Sequence, residues 1–209
     1  MSLDHSGNEQ ERLSVLATRE VAEPNRVVRP AIKLMLEKLR PCPAYVLSRT
    51  LDVLAANPGG LYLYPGVESW PVQQRNLVRY AFLDPAAKEL LPDWEACARR
   101  CVARLWALAG TDPEAPDLLQ LVGELQIKSD DFARLWQRYY ARPPHGRGIT
   151  HFRHSQVGDI ALEYQSMQLE GTPGHRLVAH NGAAASDHDA MVLLDMLGAR
   201  NASGRPGMS

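Results

Sequence analysis

Apolar residues recur at helical spacing through most of the chain, but between Ile149 and Asn181 the spacing switches to every second residue. Ile160, Leu162, Tyr164, Ser166 and Gln168 fall on one side of an extended segment, and Ala161, Glu163, Gln165 and Met167 on the other. Period two over three successive runs, 149–154, 160–168 and 175–181, predicts a three-stranded antiparallel meander. Gln156-Val-Gly-Asp159 and Glu170-Gly-Thr-Pro-Gly174 supply its turns. A second, shorter extended region, Tyr45–Leu47 and Leu51–Ala55 around Ser48-Arg49-Thr50, reads as a hairpin.

Helical spacing fills the remainder. Val28, Ile32, Met35, Leu36 and Leu39 form a stripe, with Pro30 suited to a first turn, and Pro41 and Pro43 stop it. Asn57-Pro58-Gly59-Gly60 reads as a turn, and Arg75–Phe82 as a helix. Ala86 to Ala109 carries Leu90, Trp94, Cys97, Cys101, Leu105 and Leu108 inward and leaves Asp93, Arg99, Arg100 and Arg104 wet, with a break expected at Pro92. Pro116 opens the next helix. Ser129 then caps one that presents Phe132, Leu135, Trp136 and Tyr139 inward. Ser186 and Asp187 start a last helix reaching Gly198. The order helix, two strands, helices, three strands, helix predicts an α+β fold, a five-stranded antiparallel sheet covered by a block of helices. Residues 28–199 form one domain in this reading, between flexible segments at 1–27 and 200–209.

With 23 Lys+Arg against 24 Asp+Glu, the chain has no electrostatic footprint for nucleic acid. Three cysteines, no apolar run of about 18 residues and a polar start point to a reduced, cytoplasmic protein. No catalytic constellation emerges and no cofactor is implied. Cys97 and Cys101 read as small core residues rather than metal ligands. His151 and His154 point to opposite faces of one strand, and no ligand spacing supports a metal.

The same residues carry a resemblance. Pro43-Ala-Tyr-Val-Leu47, Asp52-Val-Leu-Ala-Ala-Asn57, Arg75-Asn76 with Phe82, Asp84 and Pro85, Trp94 with Leu105, Leu121 through Trp136, Gly158-Asp-Ile-Ala-Leu162 and Arg176-Leu-Val178 occur in order. Together they resemble the MmyB-like ligand-binding domain, the PAS-like sensor of XRE-family helix-turn-helix transcription regulators, over about residues 30–198. The resemblance implies a PAS-like pocket for a small hydrophobic, fatty-acid-like molecule. It also implies DNA binding through a helix-turn-helix domain absent from this chain. The residues singled out for the ligand are Arg75, Asn76 and Arg79 as head-group anchors, Asn57 beside them, and Trp94, Phe132, Trp136 and Tyr139 as walls. The leading helix, 28–39, is the expected transmitter and a surface for a homodimer. The alternatives are an enzyme acting on a small hydrophobic substrate, through His151, His154 or Asp159, and a ligand-free protein-interaction module with a filled core.

Overall fold

The computed structural model describes residues 26–138 and 146–203. Helix α1 spans Pro30–Lys38 and leads into the hairpin β1 (Ala44–Leu47) and β2 (Val53–Ala56). Five helices follow the short α2 (Pro58–Tyr62): α3 (Leu77–Leu83), α4 (Ala86–Leu90), α5 (Trp94–Thr111), α6 (Pro116–Lys128) and α7 (Asp130–Arg138). Strands β3 (Arg147–His154), β4 (Gly158–Gln168) and β5 (Arg176–Gly182) precede the last helix, α8 (Asp187–Ser203). The expected α+β order is therefore the observed one. Pro92 does divide the long helical stretch, and Asp93 caps the new helix through Ala96 N–H. The Asn57 turn differs from expectation. It is the N-cap of α2, with Pro58 in the first turn. Gly110 lies within α5, which ends at Thr111.

All five strands pair antiparallel in the order β2-β1-β5-β4-β3. β1 and β5, 132 positions apart at their Val46 and Val178 midpoints, thus lie side by side and join the two strand regions. Alternation gives the sheet two distinct faces. Ala44, Val46, Leu177 and Ala179 pack against Ile32 and Leu36 of α1 and against Val28 just before it. Tyr45, Leu47 and Val178 face the other way, toward the helical block. Met35, expected inside, is nearly half exposed and its neighbour Leu34 more than half, because α1 has only the sheet to cover it.

The helical block has its own core. Val78, Leu105, Leu118, Leu121, Leu125 and Phe132 are buried among α3, α5, α6 and α7. A third cluster, including Leu63, Tyr80, Phe152, Leu162 and Leu194, ties the β3–β4 end of the sheet to α2, α4 and α8. A Cβ on Gly60 would overlap the Ala44 carbonyl, so only glycine lets α2 lie this close to β1.

Asn57 fastens this corner. Its buried side-chain oxygen accepts from Gly60 N–H at 2.8 Å and Ala44 N–H at 3.0 Å. Its amide donates to the carbonyls of Cys42 at 2.9 Å and Leu36 at 3.1 Å. One side chain thereby satisfies α1, β1 and α2 together. Asn57→Ala leaves four backbone groups without this partner, and we expect it to cost about 3 kcal/mol in urea unfolding with an unchanged slope. A loss under about 0.5 kcal/mol would show that the corner is held by packing alone.

Candidate ligand chamber

The alternating face of β1, β5, β4 and β3 supplies one wall of a chamber of about 190 Å³. Tyr45 and Leu47 come from β1, Arg176, Val178 and His180 from β5, Tyr164 and Ser166 from β4, and Thr150 and Phe152 from β3. The opposite wall is helical. α3 brings Leu77, Tyr80 and Ala81, and α5 brings Cys97, Arg100, Cys101 and Arg104. Leu51 and Tyr64 complete it from the loops. Positions 97, 100, 101 and 104 are i, i+3, i+4 and i+7, one face of α5, so a continuous stripe looks at the sheet. Arg100 and Arg104 were expected in water with Arg99, yet both are half-buried against this space while Arg99 is exposed. Their long stems cover apolar surface and leave the head groups at the chamber.

The charge of this wall is one-sided. Arg100, Arg104 and Arg176 line it, and no Asp or Glu does among the described residues. Arg100 donates to Cys97 Sγ at 2.9 Å and Thr150 Oγ1 at 3.3 Å. Arg176 donates from Nε to Ser166 Oγ at 2.8 Å. Burial, and then the Arg176 charge, bring the Arg104 guanidinium down to about 10. These are neutral partners for cations, so positive charge is concentrated where little water reaches it.

The β1 side is polar without charge. Tyr45 Oη lies 2.9 Å from Tyr64 Oη and 2.9 Å from His180 Nε2. Tyr164 packs against the His180 ring, their centroids 6.2 Å apart. Burial pushes both Tyr45 and Tyr64 up and His180 down to about 4, so all three are neutral near pH 7. Burial also raises both cysteines, Cys101 to about 12, which keeps them as thiols.

Of the residues singled out from sequence, the described ones lie elsewhere than on this wall. Asn76 caps α3, accepting from Val78 and Arg79 N–H, and donates to Asp52 Oδ1 at 3.0 Å. Arg79 is spent on Glu124, with Nε to Oε2 at 2.8 Å. Arg75 donates to the carbonyls of Trp70 at 3.1 Å and Glu68 at 2.7 Å. Arg75 and Asn57 do share a separate recess near the end of α8, alongside Glu37 and Glu68. Trp94 donates to the Ala81 carbonyl and sits beneath Lys88 Nζ at 4.5 Å. Phe132 stacks on Trp136 at 5.6 Å, and Trp136 on Trp106 at 4.8 Å, filling the helical block. Tyr139 lies outside the described residues. Of the two tyrosines near α2, Tyr64 lines the chamber, whereas Tyr62 donates to Gln156 and packs on His154.

His151 is exposed and His154 is buried against the Tyr62 carbonyl, so the strand histidines do not converge. Among the described residues no group of three His, Cys, Asp or Glu is placed to hold a metal ion, and no helix is long and apolar enough to cross a membrane.

A space with an aromatic floor, apolar sides and a few convergent polar groups defines a ligand-binding domain. The chain belongs to the MmyB-like transcription regulator ligand binding domain family, matched over residues 28–195. That family is a regulator's ligand-sensing domain and not an enzyme family. No curated protein matches the chain.

His180 ties the chamber to pH. The unfolded chain takes up a proton on this ring near 6.5 and the folded one only near 4, so stability is full above 6.5 and falls as pH drops through that window. We expect the loss to total roughly 3 kcal/mol from this ring, and to be absent in His180→Phe when the two proteins are compared by denaturation from pH 7 to 4. Parallel curves for the two proteins would place the proton elsewhere.

Proposed function

We propose that this chain is the ligand-sensing part of a cytoplasmic bacterial transcription regulator, and that its chamber binds a small fatty-acid-like carboxylate. The observation that carries this reading is the set of three arginines on a chamber wall that holds no Asp or Glu among the described residues. Buried cations without a carboxylate are costly unless an anion joins them, and arginine pairs with carboxylate through two parallel hydrogen bonds. The tail would lie along Leu47, Leu77 and Val178. Burying it contributes about 0.8 kcal/mol per methylene. A chamber of about 190 Å³ suits a short tail, since about 150 Å³ accommodates a benzene-sized guest.

The sheet itself offers the route for a signal. Val178 and His180 touch the chamber while Leu177 and Ala179 of the same strand pack on α1. A guest that binds one arrangement of β5 more tightly than another shifts the position of α1, and only that difference in affinity does so. α1 then acts on a helix-turn-helix DNA-binding domain. Leu34 and Met35, exposed on α1, are the surface offered to that domain or to a second protomer.

Thermal denaturation with hexanoate, octanoate and decanoate tests the reading. At a hundred times the Kd we expect stabilisation of about 2.7 kcal/mol, a rise in Tm of about 5–10 °C for a chain of this size. Arg104→Met should abolish the rise while leaving the ligand-free Tm equal or higher, because it removes an unmatched cation. An equal rise in wild type and variant would rule out Arg104 as the anchor, and no rise with any acid would rule out the ligand class.

A further inference from the structure

The three chamber arginines stand at two stations. Arg100 reaches β3, donating from Nη2 to Thr150 Oγ1 at 3.3 Å and to Cys97 Sγ at 2.9 Å. Both bonds leave from that one nitrogen, so Nε–H and the Nη1 hydrogens have no partner among the described residues. Arg176 is held on Ser166 of β4 through Nε at 2.8 Å. Arg104 lies within reach of the Arg176 charge and donates to no group among the described residues. A half-buried guanidinium whose donors go unmet is a costly state that an anion relieves.

Pairing in the sheet sets how far apart the stations are. Thr150 is opposite Leu162 of β4, and Ser166 lies four residues further along the same strand. Four residues span about 13 Å at roughly 3.3 Å each. The Arg100 and Arg176 head groups are tied to those two positions. On the helical wall Arg100 and Arg104 leave α5 one turn apart, about 6 Å at roughly 1.5 Å per residue. Tyr164, midway between the two levels of β4, floors the gap, and Cys101 covers it from α5. A single carboxylate reaches one station and leaves the other unmatched.

We infer that the guest is an α,ω-dicarboxylic acid lying lengthwise over Tyr164, with one end at Arg104 and Arg176 and the other at Arg100. This rests on the carboxylate reading above and narrows it from a monoacid to a diacid. Arg104 and Arg176 clamp the first carboxylate from the helix and from the sheet. Arg100 offers the second carboxylate the donors that Thr150 and Cys97 leave unused. A buried carboxylate without a cation is strongly unfavourable, so the second acid group helps only where Arg100 meets it. A phosphate ester would concentrate both charges at one station and leave the other as it stands.

Calorimetric titration of the wild-type protein with adipate, suberate and sebacate, each beside its monomethyl ester, tests this directly. The ester keeps the chain and one carboxylate and removes only the second charge. We expect at least one diacid to bind about tenfold tighter than its ester or better. In Arg100→Met that preference should shrink to about twofold or less while ester binding is kept. The wild-type comparison stands even where the variant fails to fold. Esters binding as tightly as every diacid would overturn this inference and leave the carboxylate reading intact. An undiminished preference in Arg100→Met would also overturn it, as would octyl phosphate binding tighter than every diacid. Binding of none of the acids or esters would overturn both.

Discussion

Along β5, Arg176, Val178 and His180 face the chamber while Leu177 and Ala179 face α1, and neither set moves without the other. The strand lies at the centre of the sheet, with β1 on one side and β4 on the other, so its alternation is locked by ladders on both edges. A slip of one residue would bring Arg176 and His180 against Ile32 and Leu36 and send Leu177 into the chamber. Burial on both sides forbids that slip. The position of every polar group on the sheet wall follows from this register.

The helical side is set by different means. Asn57 and Asn76 cap the helices that enter and leave the corner beside β1, each spending its whole side chain on backbone or on Asp52. Their fixed geometry holds α2 and α3 over the sheet without filling the space between. The stripe of Cys97, Arg100, Cys101 and Arg104 on α5 then closes it. Arginine remains cationic even where burial lowers Arg104 to about 10, whereas His180, Tyr45 and Tyr64 are neutral.

Much of the fold was legible because burial enforces periodicity. Ile160, Leu162, Tyr164 and Ser166 had to share a face in any antiparallel strand, and that face is the chamber's. Pro92, Pro116 and Ser129 marked helix boundaries through local chemistry. The site was less legible. Trp94, Phe132 and Trp136 drew attention by their aromatic area, yet that area fills the helical block, as large rings at helical spacing commonly do. Arg75, Asn76 and Arg79 carried suitable donors, but donors alone do not reveal that Glu124, Asp52 and backbone carbonyls already take them. Arg104 was assigned to solvent by its charge, although its position three residues after Cys101 placed it on the buried stripe. Tyr45 and His180 are 135 residues apart, and only the pairing of β1 with β5 brings them to 2.9 Å.

The claim at the centre is that an open, cationic chamber separates the sheet from the helices and takes a carboxylate. A crystal structure grown with octanoate tests it most directly. The expected result is carboxylate density about 3 Å from the Arg104 guanidinium, with the tail running between Val178 and Leu77. Leu47, Leu51 and Tyr64 closed over the same space, with no guest and the arginines turned to solvent, would contradict it.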